Sequence, residues 1–127
     1  MFLDTSIIID IFRHGRDSER FRNIYDLIKD ENLFISVIQL GEISDWCLKN
    51  NINPYERISK IKEMCVIAPL NEEICLEASR IKYDMRSSGV EKFSLIDGII
   101  LASARHMGEK LLTADRDFRK SKDAIIL

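Results

Sequence analysis

Four carboxylates spread along the chain, Asp4, Glu42, Asp97 and Asp115, have the residue types for metal-assisted hydrolysis. Gathered at one point they form an all-oxygen donor set, the hard kind that selects Mg²⁺ or Mn²⁺ over softer-site metals. An ion held that way lowers the pKa of a bound water, and a second ion stabilises a leaving oxygen, which suits phosphodiester cleavage. Residue types alone leave open whether one ion binds or two. No competing metal set is visible. Cys47, Cys65 and Cys75 are scattered without a C-x-x-C pair, and His14 and His106 lie far apart. The cysteines read as free thiols of a reducing compartment.

Each acid also has an ordinary structural role open to it. Asp4 follows the apolar run Met1-Phe2-Leu3 and Asp115 follows a strand ending at Thr113, so either could cap the next helix. Asp97 sits in Ser94-Leu95-Ile96-Asp97-Gly98-Ile99-Ile100-Leu101-Ala102, apolar nearly all round. A carboxylate buried there is costly unless paired or metal-bound. Its structural alternative is a capping box with Ser94, three residues earlier, although Glu or Gln is the usual partner. Glu42 borders the stripe Val37, Leu40, Ile43 and Cys47, and by itself carries no weight. Asp117 competes with Asp115, but two residues along a helix send a side chain roughly 200° around the axis. Asp115 is therefore taken as the fourth ligand and Asp117 as a supporting residue. Arg116, Arg119, Lys120 and Lys122, which follow Asp115, and Arg13 and Arg16 from the end of the first helix, offer phosphate contacts, Arg116 and Arg13 foremost. A solvated basic face is the competing role for all six.

The elements that must position these acids are legible from periodicity. Helical spacing covers Thr5 to Phe12 and Ser18 to Lys29, the latter through Phe21, Ile24, Tyr25 and Ile28. Leu33-Phe34-Ile35 is a strand passing at Ser36 into a helix to about Asn50, and Asn53-Pro54 starts another. Cys65 to Ala68 is a strand stopped by Pro69. Asn71 opens a helix running to Ser87-Ser88, with acids in its first turn and Gly89 as its stop. The apolar helix from Ser94 ends at Gly108. Then come a strand over Lys110 to Thr113, a short helix over Asp115 to Lys120 and a last strand over Ala124 to Leu127. Short apolar strands alternating with helices predict an α/β fold, a parallel sheet covered on both faces. Its ligand crevice lies beyond the strands' carboxyl ends, where Asp4 and Asp115 fall.

In order and spacing, four segments resemble the motifs of the PIN-domain family. These are Asp4-Thr5-Ser6, Ser36-Val37-Ile38-Gln39-Leu40-Gly41-Glu42, Ser94 to Ala102, and Leu111-Leu112-Thr113-Ala114-Asp115-Arg116-Asp117-Phe118. Any one is weak; four in order, spanning essentially the whole chain, are strong. Within that family the size is most similar to VapC-type toxins. The resemblance implies a Rossmann-like α/β/α sandwich over residues 1–127, with a Mg²⁺ or Mn²⁺ site and endoribonuclease activity on RNA. It also implies a homodimer and an antitoxin partner that blocks the site. Asp4, Glu42, Asp97 and Asp115 match the acidic quartet, and Ser6 and Thr113 match polar positions that support it. Ser6 stands where the family frequently has Asn, a tolerable departure in a supporting residue. The alternative within the fold is an RNA-binding or RNA-processing subunit that is not a toxin.

Other classes fit less well. A phosphoaspartyl hydrolase wants a second Asp where Ser6 stands, and a receiver domain wants an Asp ending the strand that here runs into Pro69. A dinucleotide-binding fold wants G-x-G-x-x-G after the first strand, and none occurs. At 127 residues the chain is expected to form one domain. The absence of a long apolar run and of a leader before Asp4 sets the expectation of a cytoplasmic protein without membrane contact. The formal charge of −2 becomes +2 once the four acids are set aside, which permits a nucleic-acid substrate without arguing for one.

Overall fold

Five short apolar strands pair in parallel in the computed structural model, which describes all 127 residues. They are β1 (Phe2–Leu3), β2 (Leu33–Ser36), β3 (Cys65–Ala68), β4 (Leu111–Thr113) and β5 (Ala124–Ile126), in the order β3-β2-β1-β4-β5. Phe2 lies opposite both Phe34 and Leu111, and Leu3 opposite Leu112. The chain steps outward from β1 through β2 to β3, then crosses back to set β4 on the other flank of β1. That reversal opens a crevice at the carboxyl ends of β1 and β4, because the loops leaving the two strands part in opposite directions.

Successive strand residues face opposite sides, so each strand feeds two cores. Met1, Leu3, Ile35 and Leu112 pack with Ile7, Ile8, Ile24, Ile43 and Ile61. These come from α1 (Thr5–Arg13), α2 (Glu19–Ile28), α3 (Val37–Lys49) and α4 (Pro54–Met64). Phe2 and Leu111 pack instead with Ala78, Ile81, Ile100, Leu101 and Ala104 of α5 (Glu72–Ser87) and α6 (Leu95–His106). The result is the expected sandwich of a parallel sheet between helical layers. At Gly98 the two helices of the second layer meet backbone to backbone, since a Cβ there would stand 2.4 Å from the Ala78 carbonyl oxygen.

Helix starts follow the capping rules closely. Ser18, Ser36, Asn53, Asn71 and Ser94 each accept a backbone N–H of the following turn through the side chain. Gly89 and Gly108, with φ of +99° and +67°, turn the chain after α5 and α6 in the left-handed region. The expected helix over Asp115 to Lys120 is corrected: only a single 3₁₀ turn, Arg116–Phe118, forms there. Phe118 is fully buried in a T-shaped contact with Phe93, with ring centroids 5.4 Å apart. Anchoring that ring turns the chain back toward β5 before a second turn can form. The last strand stops at Ile126, although the Leu127 N–H still donates to the Thr113 carbonyl. No helix is long and apolar enough to cross a membrane.

Candidate active site

Asp4 extends the β1 ladder by donating its backbone N–H to the Leu112 carbonyl at 2.9 Å. By position it precedes α1, yet its side chain caps nothing. The carboxylate turns into the crevice, where it is only 5% exposed. There Oδ2 accepts hydrogen bonds from Thr113 Oγ1 at 2.7 Å and Ser6 Oγ at 2.8 Å. Those hydroxyls accept in turn, Thr113 from the Asp115 N–H at 2.9 Å and Ser6 from the Ala114 N–H at 3.1 Å. The residues after β1 and after β4 are thereby stitched together across the switch point.

Glu42 reaches the same region from α3 and is half-buried; its Oε1 accepts from Thr5 Oγ1 at 2.7 Å. Asp97 does form the capping box. Its Oδ2 accepts the Ser94 N–H at 2.9 Å, and its own N–H donates to Ser94 Oγ at 3.0 Å. The box uses one oxygen and fixes the carboxylate's direction, so capping and site chemistry coexist. Asp115 likewise takes the Asp117 N–H on Oδ1 at 2.8 Å. Carboxylate oxygens of Asp97, Asp115 and Asp117 all lie within 4.8 Å of one another. Asp117 is closer to this group than helical spacing predicted. Asp115 has an extended backbone (φ −88°, ψ 116°) ahead of the 3₁₀ turn, so the two residues do not share one α-helical axis.

Electrostatics tie the remaining acids to this cluster. Burial pushes the Asp4 carboxyl above its ordinary range, against the hydrogen bonds from Thr113 and Ser6, and repulsion from Asp115 adds to it. Burial also raises Glu42, with Asp4 and Asp97 repelling it, and raises Asp97, with Asp115 and Asp4 repelling it. Uncompensated carboxylates at such separations favour either protonation or a bridging cation. The donors are oxygen alone, and they fit a hard divalent ion. His14 and His106 lie elsewhere, near Asp10 (3.9 Å) and paired with Glu77 (2.9 Å) respectively.

The basic residues divide. Arg116 is exposed on the 3₁₀ turn between Asp115 and Asp117. Arg119 donates to the Arg116 carbonyl and Lys120 to that of Ser88. Arg13 ends α1, about 13 Å of helix away from its Asp4 end. Two residues about the site were not expected from the sequence: Thr5, which holds Glu42, and the fully buried Gln39 behind it. The S-x-x-Q spacing of Ser36 and Gln39 is a capping-box signature and was the available signal for Gln39.

Comparison with known proteins agrees with the fold. No curated relative matches the sequence. Among solved structures, the chain is similar to one in a toxin–antitoxin complex from Klebsiella pneumoniae, with TM-score 0.75, 21% identity, and coverage of 98% of this chain and 94% of that one. It is also similar to a chain of VapBC2 from Rickettsia felis bound to a promoter DNA fragment, with TM-score 0.74, 16% identity and 99% and 96% coverage. A third likeness is to FitAcB from Neisseria gonorrhoeae, with TM-score 0.69, 20% identity and 99% and 96% coverage. The model of the PIN domain matches residues 1–123, and the chain belongs to that family.

Proposed function

We propose that this protein is a Mg²⁺- or Mn²⁺-dependent endoribonuclease, the toxin of a VapBC-type toxin–antitoxin pair, working as one domain over residues 1–127 in the cytoplasm. The observation that carries the reading is the convergence of Asp97, Asp115 and Asp117 within 4.8 Å, beside buried Asp4 at the switch point of the sheet. Asp4, Glu42, Asp97 and Asp115 would hold the ion, with Asp117 adjoining. When bound, the ion supplies an activated water and charge neutralisation at the phosphate.

The chain's own groups set the stage for that chemistry. Ser6 and Thr113 hold Asp4 at Oδ2, and the Ser94 N–H holds Asp97 at Oδ2, so both carboxylates are oriented toward the crevice before an ion arrives. Arg116, exposed within the acidic turn, is placed to meet a phosphate; Arg13 serves only a substrate long enough to pass the far end of α1.

Likeness to chains from toxin–antitoxin complexes supports an antitoxin partner, and a homodimer is proposed on the same footing. An apolar groove of about 270 Å³ between α1, α2 and α4, lined by Ile11, Phe21, Ile24, Tyr25, Ile28 and Met64, is surface that a protein partner would cover. Inhibition then follows from a basic side chain, Arg above all, set bidentately against the acidic cluster. Expression of the chain should arrest growth, and co-expression of a small neighbouring reading frame should relieve it. Unimpeded growth with active protein present would favour an RNA-processing subunit instead.

A further inference from the structure

We propose that Thr5 and Gln39 are positioning residues that hold Glu42 in the site through a one-directional hydrogen-bond relay. This rests on the functional reading above, because Glu42 matters only if the carboxylates bind an ion.

Gln39 is fully buried on α3, one turn before Glu42. The orientation of its amide is set by its surroundings. Oε1 accepts the Ser36 N–H at 2.7 Å, and a backbone N–H can only donate, so the oxygen must face it. Nε2 is then aimed the other way, donating to the Leu3 carbonyl at 2.8 Å and to Thr5 Oγ1 at 3.3 Å. A hydroxyl that accepts from an amide still has one proton to give. That of Thr5 goes to Glu42 Oε1 at 2.7 Å.

Every link is fixed in sense: Ser36 N–H to Gln39, Gln39 to Thr5, Thr5 to Glu42. The relay therefore always offers Glu42 a donor, which favours its ionised form, and it ties up one carboxylate oxygen while leaving Oε2 outside the chain of bonds. Ser6 and Thr113 do the same for Asp4, each accepting from a backbone N–H and donating to the carboxylate. In Glu42's case the orienting N–H is a side-chain amide, and Gln39 also grips the end of β1 through the Leu3 carbonyl. One buried side chain thus joins β1, α1 and α3, the three elements that bring Asp4 and Glu42 together.

The test is Mn²⁺ binding by calorimetry on the purified chain, beside thermal melts in EDTA. Thr5→Val keeps the shape and removes the hydroxyl; Thr5→Ser keeps the hydroxyl. Loss of a hydrogen bond supporting a metal ligand typically weakens binding about 10-fold or more. Thr5→Val should lose about that much affinity while Thr5→Ser stays within about 3-fold of the wild type, a rescue that a packing role would not give. Where Thr5→Val does not fold, Thr5→Ala takes its place. Gln39→Met should weaken binding too, and its loss should not add to that of Thr5→Val if it acts through the hydroxyl. Unchanged affinity in folded Thr5→Val, or equal losses in Val and Ser, overturns the relay. Additive losses overturn the part given to Gln39. A wild type that binds no Mn²⁺ refutes the functional reading itself, and the relay with it.

Discussion

Replacing Asp97 with Asn separates the two roles this residue holds, because they predict opposite signs for stability without metal. If Asp97 serves only as a cap, Asp97→Asn exchanges a charged acceptor for a neutral one at a helix N-terminus and costs about 0.5–1 kcal/mol. If it belongs to a carboxylate cluster, the exchange removes repulsion from Asp115 and Asp117, whose oxygens lie within 4.8 Å. Two unit charges at that separation repel by about 3 kcal/mol at an effective dielectric of 20, and by about 1 kcal/mol in water. All three residues are partly exposed, so the lower figure applies, giving about 2 kcal/mol of relief over the two pairs. The capping geometry survives, because the Asn carbonyl can still accept the Ser94 N–H. After the loss of favourable interaction with the helix dipole, the net expectation in EDTA is a gain of about 1 kcal/mol, or roughly 4 °C in melting temperature. Melts by circular dichroism in EDTA and in excess Mn²⁺ read both quantities. The variant should melt higher than wild type in EDTA and show a much smaller rise on adding Mn²⁺. A variant that melts lower in EDTA but keeps the full Mn²⁺ rise would refute the cluster and leave Asp97 a cap.

Asp115→Asn should reduce Mn²⁺ affinity by about 10–100-fold, and Asp117→Asn by less than about 10-fold. The Asp115 carboxylate also anchors the turn through the Asp117 N–H, whereas losing Asp117 leaves Asp115 in place; the reverse order in calorimetry would show Asp117 to be the ligand. Asp4, Glu42 and Asp97 have folded-state pKa values raised above their unfolded ones. Their contribution to stability is therefore complete below about pH 4 and is lost as pH climbs through the raised values. In EDTA, Asp4→Asn should gain on wild type as pH rises above about 4, and a constant difference in melting temperature would contradict the shift at Asp4. Gly98→Ala should cost about 1–3 kcal/mol, because its Cβ would overlap the Ala78 carbonyl, and an unchanged melting temperature would disprove that close approach.

Much of this molecule is legible in the sequence, for reasons particular residues make plain. Ser18, Ser36, Asn53, Asn71 and Ser94 are local cap signals, and all five open helices. Alternation on β1 sends Phe2 and Leu3 into different cores, and the rule for open parallel sheets then points to the crevice beside Asp4 and Asp115. What stayed hidden depended on tertiary contact. The chain after Asp115 has the composition of a helix, but burial of Phe118 against Phe93 limits it to one 3₁₀ turn and brings Asp117 beside Asp115. Thr5 and Gln39 carry no charge and look like ordinary helix residues; only the packing of α1 against α3 turns them toward Glu42. The capping box at Asp97 and a role in the site look like alternatives in the sequence, yet the box engages the carboxylate through Oδ2 and holds it in the cluster.

The most direct measurement is sequencing of RNA ends after incubating the purified chain with RNA in Mg²⁺ or Mn²⁺, alongside parallel reactions in EDTA and with folded Asp97→Asn. Internal cleavage at defined positions is expected with either metal, with none in EDTA and none by the variant. Undiminished cleavage in EDTA, or by Asp97→Asn, would contradict a metal-dependent carboxylate site, and intact RNA with the folded, Mn²⁺-bound wild type would contradict the ribonuclease itself.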